Sequence, residues 1–152
     1  MKPTVLITGA AGLIGGYLMR TAARWAPQWN VRGATRAEAD LTDSPQLTEL
    51  WRRYQPSLVI HCAALSRTGA CEQDPARARR INVDATRSLA DLAQDIPFLF
   101  LSSDQVFDGS KGHYVETDAV NPLNVYGRTK AEAEQVVFQN PAHTVIRIGL
   151  TA

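Results

Sequence analysis

The sequence predicts an α/β fold, a doubly wound parallel sheet with helices on both faces. Short apolar runs alternate along the chain with stretches of helical periodicity, and several of these runs are apolar nearly throughout. Alternation of this kind implies a parallel sheet, and strands covered on both faces are apolar throughout. A glycine-rich turn also follows the first apolar run directly. The length of 152 residues suits one domain.

The predicted elements alternate in order along the chain. The strands are TVLIT (4–8), VRGAT (31–35), SLVIHC (57–62), FLFLSS (98–103) and HTVIRIGL (143–150), and the helices lie near 12–25, 45–54, 75–94 and 125–139. Pro75 suits the first turn of its helix, where a missing N–H costs nothing. The irregular stretch 104–123 is long enough to be a functional loop. Ligands of such sheets bind beyond the carboxyl ends of the strands, so we expect the loops after residues 8, 35, 62 and 103 to converge.

Composition argues against several classes of protein. Hydrophobic residues make up 45% and charged residues 20% of the chain, and the formal net charge is only +1. The basic residues are scattered, unlike those of a nucleic-acid binder. No apolar run approaches the ~20 residues of a membrane span, and the first apolar run is too short for a signal peptide. We therefore expect a cytoplasmic protein with no nucleic-acid and no membrane partner.

The cysteines and histidines predict neither disulfides nor a metal site. Cys62 and Cys71 are too few for a disulfide framework, so we expect reduced thiols. No histidine–cysteine spacing suggests zinc. His61 ends a buried strand and is interpreted as a hydrogen-bonded core residue. Asn82 leaves two interpretations open, a contact to the site or local hydrogen bonds inside a helix.

The turn TGAAGLIGGYL places Gly9, Gly12 and Gly15 in a G-x-x-G-x-x-G pattern. The first glycine permits a sharp turn, the second lets the backbone approach a pyrophosphate, and the third lets helix and strand pack closely. The N–H groups that begin the next helix then face the anion. In the first βα turn of a parallel sheet this pattern predicts a dinucleotide site. The residues expected to form it are Gly9, Ala11, Gly12, Leu13, Ile14 and Gly15.

The end of the second strand, GATRAEADL, bears on which dinucleotide binds. An NAD site usually offers a carboxylate there to the ribose 2′-hydroxyl, whereas this chain has Thr35 and Arg36. Arginine can hold a 2′-phosphate with two hydrogen bonds, so the sequence favours NADP(H) over NAD(H). Two other interpretations stay open, Arg36 as a solvated strand-end residue and Glu38 as the acid of an NAD site.

A tyrosine and a lysine stand four residues apart in NVYGRTKAEAE (124–134). Helical residues at this spacing share a face, and an ammonium near a phenol lowers the phenol pKa toward neutrality. Tyr126 is therefore predicted to be a proton donor, and Lys130 is predicted to lower the pKa of Tyr126. Ser103 is predicted to hold a carbonyl oxygen with its hydroxyl. The alternatives are a surface helix with a solvated lysine and a serine that caps the next turn.

These motifs resemble the extended short-chain dehydrogenase/reductase superfamily, and within it the dTDP-4-dehydrorhamnose reductase group. The similarity runs through TGAAGLIGGYL (8–18), ADLTD (39–43), HCAAL (61–65), CEQDPARARRINVDAT (71–86), LSSDQVFDG (101–109), YVETDAVNPLNVYGRTK (114–130) and VIRIGL (145–150). Two positions depart from the group. Gln105 stands where the group usually has tyrosine, and Ser103 where it often has threonine. Gln105 lies near the expected sugar pocket, so it bears on which sugar is bound.

The resemblance implies catalytic roles for Ser103, Tyr126 and Lys130. It places the adenine beside Asp40 and Leu41, and the further cofactor contacts that we expect are Cys62, Ala63, Ala64, Ser102, Tyr126 and Lys130. Ser103 and Asp104 are expected on the substrate side, although Asp104, like Glu116, can also be an exposed loop acid. The implied activity is NADP(H)-dependent reduction of a 4-keto-6-deoxy nucleotide sugar. Two alternatives stay open, a nucleotide-sugar epimerase or dehydratase and a non-catalytic NADP-binding regulatory subunit.

Length is the largest departure from this group. Its members continue well beyond the last predicted strand, into residues that hold the sugar nucleotide. We therefore expect residues 1–152 to be an NAD(P)-binding Rossmann domain, without the carboxyl-terminal portion that binds the substrate. The expected partner is a nucleotide-sugar substrate. A homodimer is left open as the oligomeric state.

Overall fold

Five parallel strands form one sheet in a computed structural model that describes residues 1–149. The strands are β1 (Thr4–Thr8), β2 (Asn30–Ala34), β3 (Leu58–His61), β4 (Phe98–Ser103) and β5 (Thr144–Ile148), in the spatial order β2-β1-β3-β4-β5. All of the pairings between them are parallel. The predicted doubly wound, Rossmann-like α/β fold is confirmed. Position 150, where the last predicted strand ends, lies outside the described residues.

Six α-helices accompany the described strands. They are α1 (Leu13–Trp25), α2 (Ser44–Tyr54), α3 (Thr68–Gln73), α4 (Pro75–Arg79), α5 (Ala85–Leu92) and α6 (Val125–Val137), with a π-helical turn (Arg80–Asp84) between α4 and α5 and a 3₁₀ turn (Asp104–Val106) after β4. The predicted helices are confirmed, the one at 75–94 as a run interrupted by the π-helical turn. Helix α3 was not predicted, because its six residues are too few to show helical periodicity. No helix within residues 1–149 is both long and apolar enough to cross a membrane.

Asp or Asn side chains cap the amino-terminal ends of three of these helices. Asp43 caps α2, Asp74 caps α4 and Asn124 caps α6, each by accepting a hydrogen bond from a backbone N–H three residues later. Such caps satisfy donors that the first turn leaves without partners. Pro75 occupies the first turn of α4, as predicted. The Asn124 cap fixes the start of the helix that carries the predicted tyrosine–lysine pair.

The main core lies on one face of the sheet, under α2, α5 and α6. Its largest buried side chains are Leu6, Val59, Phe98 and Phe100 from the strands and Leu47, Leu50, Leu89 and Val137 from the helices. Helix α1 packs against β1 and β2, on the opposite face, since right-handed crossovers that run in opposite directions put their helices on opposite faces. On the α1 face, Ile60, Leu99 and Leu101 are only half-buried.

The direction of winding reverses at β1, and this reversal positions the site. β1 pairs with β2 on one side and with β3 on the other, so the chain crosses back over β1 on its way to β3. Thr8 and His61 lie side by side at the carboxyl ends of these two strands. Ligand crevices of open α/β sheets form at such a switch point.

Candidate active site

A cavity of about 570 Å³ opens at the carboxyl ends of the strands. Its wall contains every residue that the sequence assigned to a cofactor or substrate, namely Gly9, Ala11, Gly12, Leu13, Ile14, Gly15, Arg36, Asp40, Leu41, Cys62, Ala63, Ala64, Ser102, Ser103, Asp104, Tyr126 and Lys130. The loops after residues 8, 35, 62 and 103 all reach this wall, so their predicted convergence is confirmed. The individual roles of these residues in binding and catalysis stay predictions.

The turn between β1 and α1 is made of backbone contacts that side chains would prevent. Gly9 has a φ of +67°, and a Cβ there would lie 2.7 Å from the backbone nitrogen of Ala63. A Cβ on Gly15 would overlap the carbonyl oxygen of Gly9. The glycine turn, the start of α1 and the loop after β3 therefore meet only because these positions carry no side chain, as the pattern predicted.

The amino-terminal end of α1 presents backbone donors to the cavity. The residue before this helix is Gly12, so no side chain caps its first N–H groups. Leu13 and Ile14, the first two helical residues, form part of the cavity wall. Uncapped N–H groups and the helix dipole both favour an anion at this position. This end of α1 therefore fits the phosphates of a dinucleotide.

Arg36 and Glu38 are directed to different places. Arg36 lines the cavity, and its Nη2 lies 3.9 Å from Oδ2 of Asp40. The Glu38 carboxylate instead accepts a hydrogen bond from the hydroxyl of Tyr54 and lies 3.5 Å from Nη1 of Arg53. Both of these partners belong to α2, outside the cavity wall. Glu38 is thus directed away from the place that the acid of an NAD site would occupy.

His61 is a hydrogen-bonded core residue, as predicted. Its Nδ1 lies 2.7 Å from the Thr8 hydroxyl and its Nε2 lies 2.9 Å from the Thr86 hydroxyl. Burial lowers the pKa of this imidazole to about 3, so the ring is neutral at physiological pH. The Thr8 hydroxyl also accepts a hydrogen bond of 3.2 Å from the N–H of Ala63. The buried histidine thereby helps to fix the loop after β3 on the cavity wall.

Asn82 joins the loop after β3 to α6. Its Nδ2 donates to the Leu65 carbonyl (3.1 Å) and to the Thr129 hydroxyl (2.9 Å), and its Oδ1 accepts from the Leu65 N–H (2.8 Å). The π-helical turn holds this side chain between the two segments, where the residue is 1% exposed. These bonds are long-range rather than local to one helix. Asn82 therefore stabilises the position of the loop after β3 relative to α6, behind the cavity wall.

Ser103, Tyr126 and Lys130 meet on the cavity wall between β4 and α6. All three are buried. The Ser103 hydroxyl accepts a hydrogen bond of 3.1 Å from the N–H of Gln105 and donates one of 3.2 Å to the Asp104 carboxylate. Ser103 therefore caps the 3₁₀ turn, as the alternative interpretation held, and also lines the cavity.

Lys130 is almost entirely buried, which excludes the solvated lysine of a surface helix. The residue is 2% exposed, and its ammonium donates a hydrogen bond of 2.6 Å to the carbonyl oxygen of Leu101. The same nitrogen lies 4.0 Å from the centre of the Phe100 ring. Burial lowers the pKa of Lys130 to about 7. This side chain thus titrates in the physiological range.

The expected lowering of the Tyr126 pKa by Lys130 is not found. Burial raises the pKa of this phenol above its ordinary value, and the Ser103 hydroxyl opposes that shift without overcoming it. The prediction was wrong because it considered the nearby ammonium and left out the burial of the phenol itself, which is the largest effect on its pKa. In the folded chain the phenol is desolvated, and it keeps its proton at neutral pH.

Ser102 carries a buried hydroxyl that has no hydrogen-bond partner among residues 1–149. This residue is 3% exposed and lines the cavity. A buried polar atom without a partner is costly, and a polar ligand in the cavity would remove that cost. The unpaired Ser102 hydroxyl and the uncapped N–H groups at the start of α1 are both groups that a polar cofactor would satisfy.

Several residues of the cavity wall were not assigned from the sequence. They are Ala34, Thr35, Ala39, Thr42, Leu65, Ser66, Ile81, Ala85, Leu101 and Ile148, whereas Gln105, which was expected near the sugar pocket, also lines the wall. Most of them lie within one or two residues of a predicted position. Extending each predicted motif by one or two residues at both ends would have included them. Ile81 and Ala85 could not be found in this way, because an apolar pair four residues apart on a helix is more typical of a core.

The sequence profile of the RmlD substrate binding domain family matches residues 1–151 of the chain. The chain belongs to this family. It is therefore a member of the extended short-chain dehydrogenase/reductase superfamily, and the resemblance seen in the sequence motifs is confirmed.

Proteins similar to this RmlD-family chain differ in what their names describe. It is 39% identical over 145 residues to methionine adenosyltransferase 2 subunit beta from Bos taurus, covering 90% of this chain. It is 35% identical over 156 residues to the probable low-salt glycan biosynthesis reductase Agl14 of Haloferax volcanii, covering 93% of this chain. The crystal structure of dTDP-4-dehydrorhamnose reductase from Bacillus anthracis in complex with NADP superimposes with a TM-score of 0.90, at 28% identity and over 98% of this chain.

The chain spans about half the length of the proteins it matches. The aligned part is 43% of the bovine protein, 51% of the Haloferax protein and 54% of the Bacillus protein. The shared half contains the sheet and the cavity, so the comparisons concern this part of the relatives.

Proposed function

We propose that this RmlD-family chain is the cofactor-binding part of an NADP(H)-dependent reductase that acts on a 4-keto-6-deoxy nucleotide sugar. The observation that carries the proposal is the meeting of Ser103, Tyr126 and Lys130 on the wall of a cavity suited to a dinucleotide. A surface helix would not bury Tyr126 and Lys130 against Ser103 of β4, beside an uncapped helix end. The substrate-binding portion then belongs to residues beyond this Rossmann domain.

Tyr126 is the proton donor of the proposed reaction. When bound, the nicotinamide cofactor supplies a hydride to the carbonyl carbon of the sugar. The Tyr126 phenol gives a proton to the carbonyl oxygen, which the Ser103 hydroxyl holds by a hydrogen bond. Burial raises the pKa of Tyr126, and a phenol that stays protonated at neutral pH suits a donor in the direction of reduction. Lys130 binds the nicotinamide ribose through its buried amino group.

Arg36 supports NADP(H) as the preferred cofactor. Its guanidinium is on the cavity wall, whereas Glu38 is bound to Tyr54 on α2. Asp40 is the carboxylate nearest to Arg36, and hydrogen bonds from Thr42 hold the pKa of Asp40 below its usual range. With Glu38 directed away, the Arg36 guanidinium on the cavity wall favours a 2′-phosphate, and the similar Bacillus structure contains NADP.

The test is oxidation of NADPH in the presence of a dTDP-4-keto-6-deoxy sugar, with the protein extended by its substrate-binding portion. The loss of NADPH absorbance should be stoichiometric with sugar reduced, whereas an epimerase or dehydratase would regenerate its cofactor. Tyr126→Phe should reduce turnover by about 100-fold or more and weaken NADPH binding much less. Tyr17→Phe, at an exposed tyrosine, is the matched control. Equal turnover by Tyr126→Phe and Tyr17→Phe would refute the catalytic role.

The second candidate is a non-catalytic NADP-binding subunit of another enzyme. It is favoured by the identity of 39% to a protein named as a subunit of methionine adenosyltransferase 2. The two candidates differ in what they need from Tyr126. A binding subunit takes up NADPH and shows no sugar-dependent turnover, and Tyr126→Phe leaves its effect on a methionine adenosyltransferase catalytic subunit unchanged.

A further inference from the structure

Glu134 is a fully buried carboxylate on the helix that carries Tyr126 and Lys130. Its residue is 0% exposed. The carboxylate accepts two hydrogen bonds from the Arg147 guanidinium, 3.0 Å from Nε to Oε1 and 2.7 Å from Nη2 to Oε2. A charge that is buried so completely is costly unless it is paired. The proposed reaction, as described so far, gives Glu134 no part.

Helix geometry also brings Glu134 near Lys130, although its direct ion pair is with Arg147. Glu134 follows Lys130 by four residues within α6, so the two side chains share one face of the helix. Lys130 is 2% exposed, with a carbonyl oxygen and an aromatic ring as its immediate contacts. Neither contact carries a formal charge, so the ammonium needs a negative charge nearby to stay ionised in this setting.

We propose that Glu134 is the buried counter-charge of Lys130, a positioning residue that favours the ionised form of its amino group, and that Arg147 holds the Glu134 carboxylate in place. The proposal rests on the proposed function for its consequence, since an ionised Lys130 matters only if this residue acts in the site. The charge relationship itself is a property of the folded chain and can be measured without any cofactor.

The other titratable groups around Lys130 leave Glu134 as its main source of negative charge. His61, at the end of β3, has its pKa lowered to about 3 by burial and is neutral. Burial raises the pKa of Cys62 to about 11, so its thiol is neutral as well. The Tyr126 phenol keeps its proton, and Arg147 is a cation that faces Glu134 from β5. Two groups raise the pKa of Lys130 against the effect of burial, and the Glu134 charge has a larger effect than Cys62.

Arg147 is anchored independently of Lys130. It lies opposite Ser102 in the pairing of β5 with β4. Its Nη1 donates a hydrogen bond of 3.3 Å to the Glu116 carbonyl, and the guanidinium carbon is 5.0 Å from the centre of the Phe107 ring. The long loop after the 3₁₀ turn and the edge strand therefore fix the guanidinium, which in turn orients the carboxylate of Glu134.

The test is a pH titration of the lysine side chains by NMR, which this chain makes simple. Its sequence contains only three lysines, Lys2, Lys111 and Lys130, so the ¹³Cε signals can be assigned by substituting each residue in turn. Glu134→Gln should lower the pKa of Lys130 by about one pH unit or more. Glu132→Gln is the matched control, because Glu132 lies on the same helix and is paired with Arg79 on its exposed side. It should leave the titration of Lys130 unchanged.

An unchanged titration of Lys130 in folded Glu134→Gln would overturn the proposal. Glu134→Asp retains the charge, so the pKa of Lys130 should return part of the way to its value in the unsubstituted chain. A purely structural role of Glu134 does not predict this recovery. If Glu134→Gln fails to fold because Arg147 loses its partner, the comparison is made in an Arg147→Gln background, where the same lowering is expected. Failure to fold in both backgrounds would assign Glu134 to structure alone and overturn the proposal. Absence of sugar-dependent turnover would refute the proposed function without altering the titration.

Discussion

The Glu72 carboxylate accepts a hydrogen bond of 2.7 Å from the backbone N–H of Val125, which is 53 residues later in the chain. Val125 is the first residue of α6, and Glu72 belongs to the short helix α3. A side chain from one helix thus satisfies a free donor at the start of another. The interaction holds the amino-terminal turn of α6, where Tyr126 lies.

Glu72→Ala should lower the free energy of unfolding by about 1 kcal/mol, the usual cost of a lost helix cap. The cap from Asn124 remains, so the helix should persist. Gln73→Ala, at the neighbouring exposed position of α3, is the control and should change stability much less. Urea unfolding of both variants measures the difference, and equal stabilities would show that the Glu72 bond contributes nothing.

Gly15→Ala should abolish nucleotide binding or prevent folding. A Cβ at this position would overlap the carbonyl oxygen of Gly9, a backbone atom that cannot move without opening the turn. Gly69→Ala is the matched control, because a Cβ there meets no atom within 4 Å and the residue is helical. Thermal unfolding and NADPH binding check both variants. A Gly15→Ala chain that binds like Gly69→Ala would contradict the close packing described for the turn.

Stability should fall as the pH is lowered from about 6.5 toward 3, because of His61. The folded-state pKa of His61 is about 3 against an ordinary value of 6.5, so the unfolded chain takes up a proton in this range and the folded chain does not. The contribution is complete above pH 6.5 and is lost progressively below it, with a slope of ~1.4 kcal/mol per pH unit.

Urea unfolding between pH 4.5 and 6.5 isolates this effect, since carboxyl groups titrate lower. His113→Gln, at an exposed histidine, should retain the slope, whereas His61→Gln should reduce it. A wild-type chain whose stability is flat across this range would show that His61 takes up its proton in the folded state.

Arg36→Ala should weaken NADPH binding about tenfold or more and leave NADH binding nearly unchanged. A hydrogen bond between charged groups contributes roughly 1.5–3 kcal/mol, and only NADPH has the 2′-phosphate. Arg32→Ala, at an exposed residue of β2, controls for the loss of a positive charge near the site. Equal losses for both cofactors would assign Arg36 to general electrostatics rather than to recognition of the phosphate.

The sequence predicted the parts of the site that depend on local pattern. Gly9 and Gly15 were found because a tight βα turn requires them at fixed spacing, and the Tyr126–Lys130 pair because helical geometry sets the interval. Contacts between distant segments left no such pattern. The bonds of Glu72 to Val125 and of Glu134 to Arg147 depend on how helices and strands pack, and no periodicity in the chain encodes them.

Burial was the second property that local pattern could not supply. Lys130 reads as a charged surface residue in the sequence, yet it is 2% exposed in the fold. Burial of the Tyr126 phenol likewise reversed the expected direction of its pKa. The identity of a titratable residue gives its ordinary pKa, whereas the surroundings that shift it come from segments far apart in the chain.

The proposed cofactor site requires a dinucleotide phosphate bound at the amino-terminal end of α1. Calorimetric titration of the 152-residue chain with NADPH tests this directly, with circular dichroism to establish that the chain is folded. We predict saturable binding at one site, tighter for NADPH than for NADH. A folded chain that binds neither cofactor would contradict the central claim.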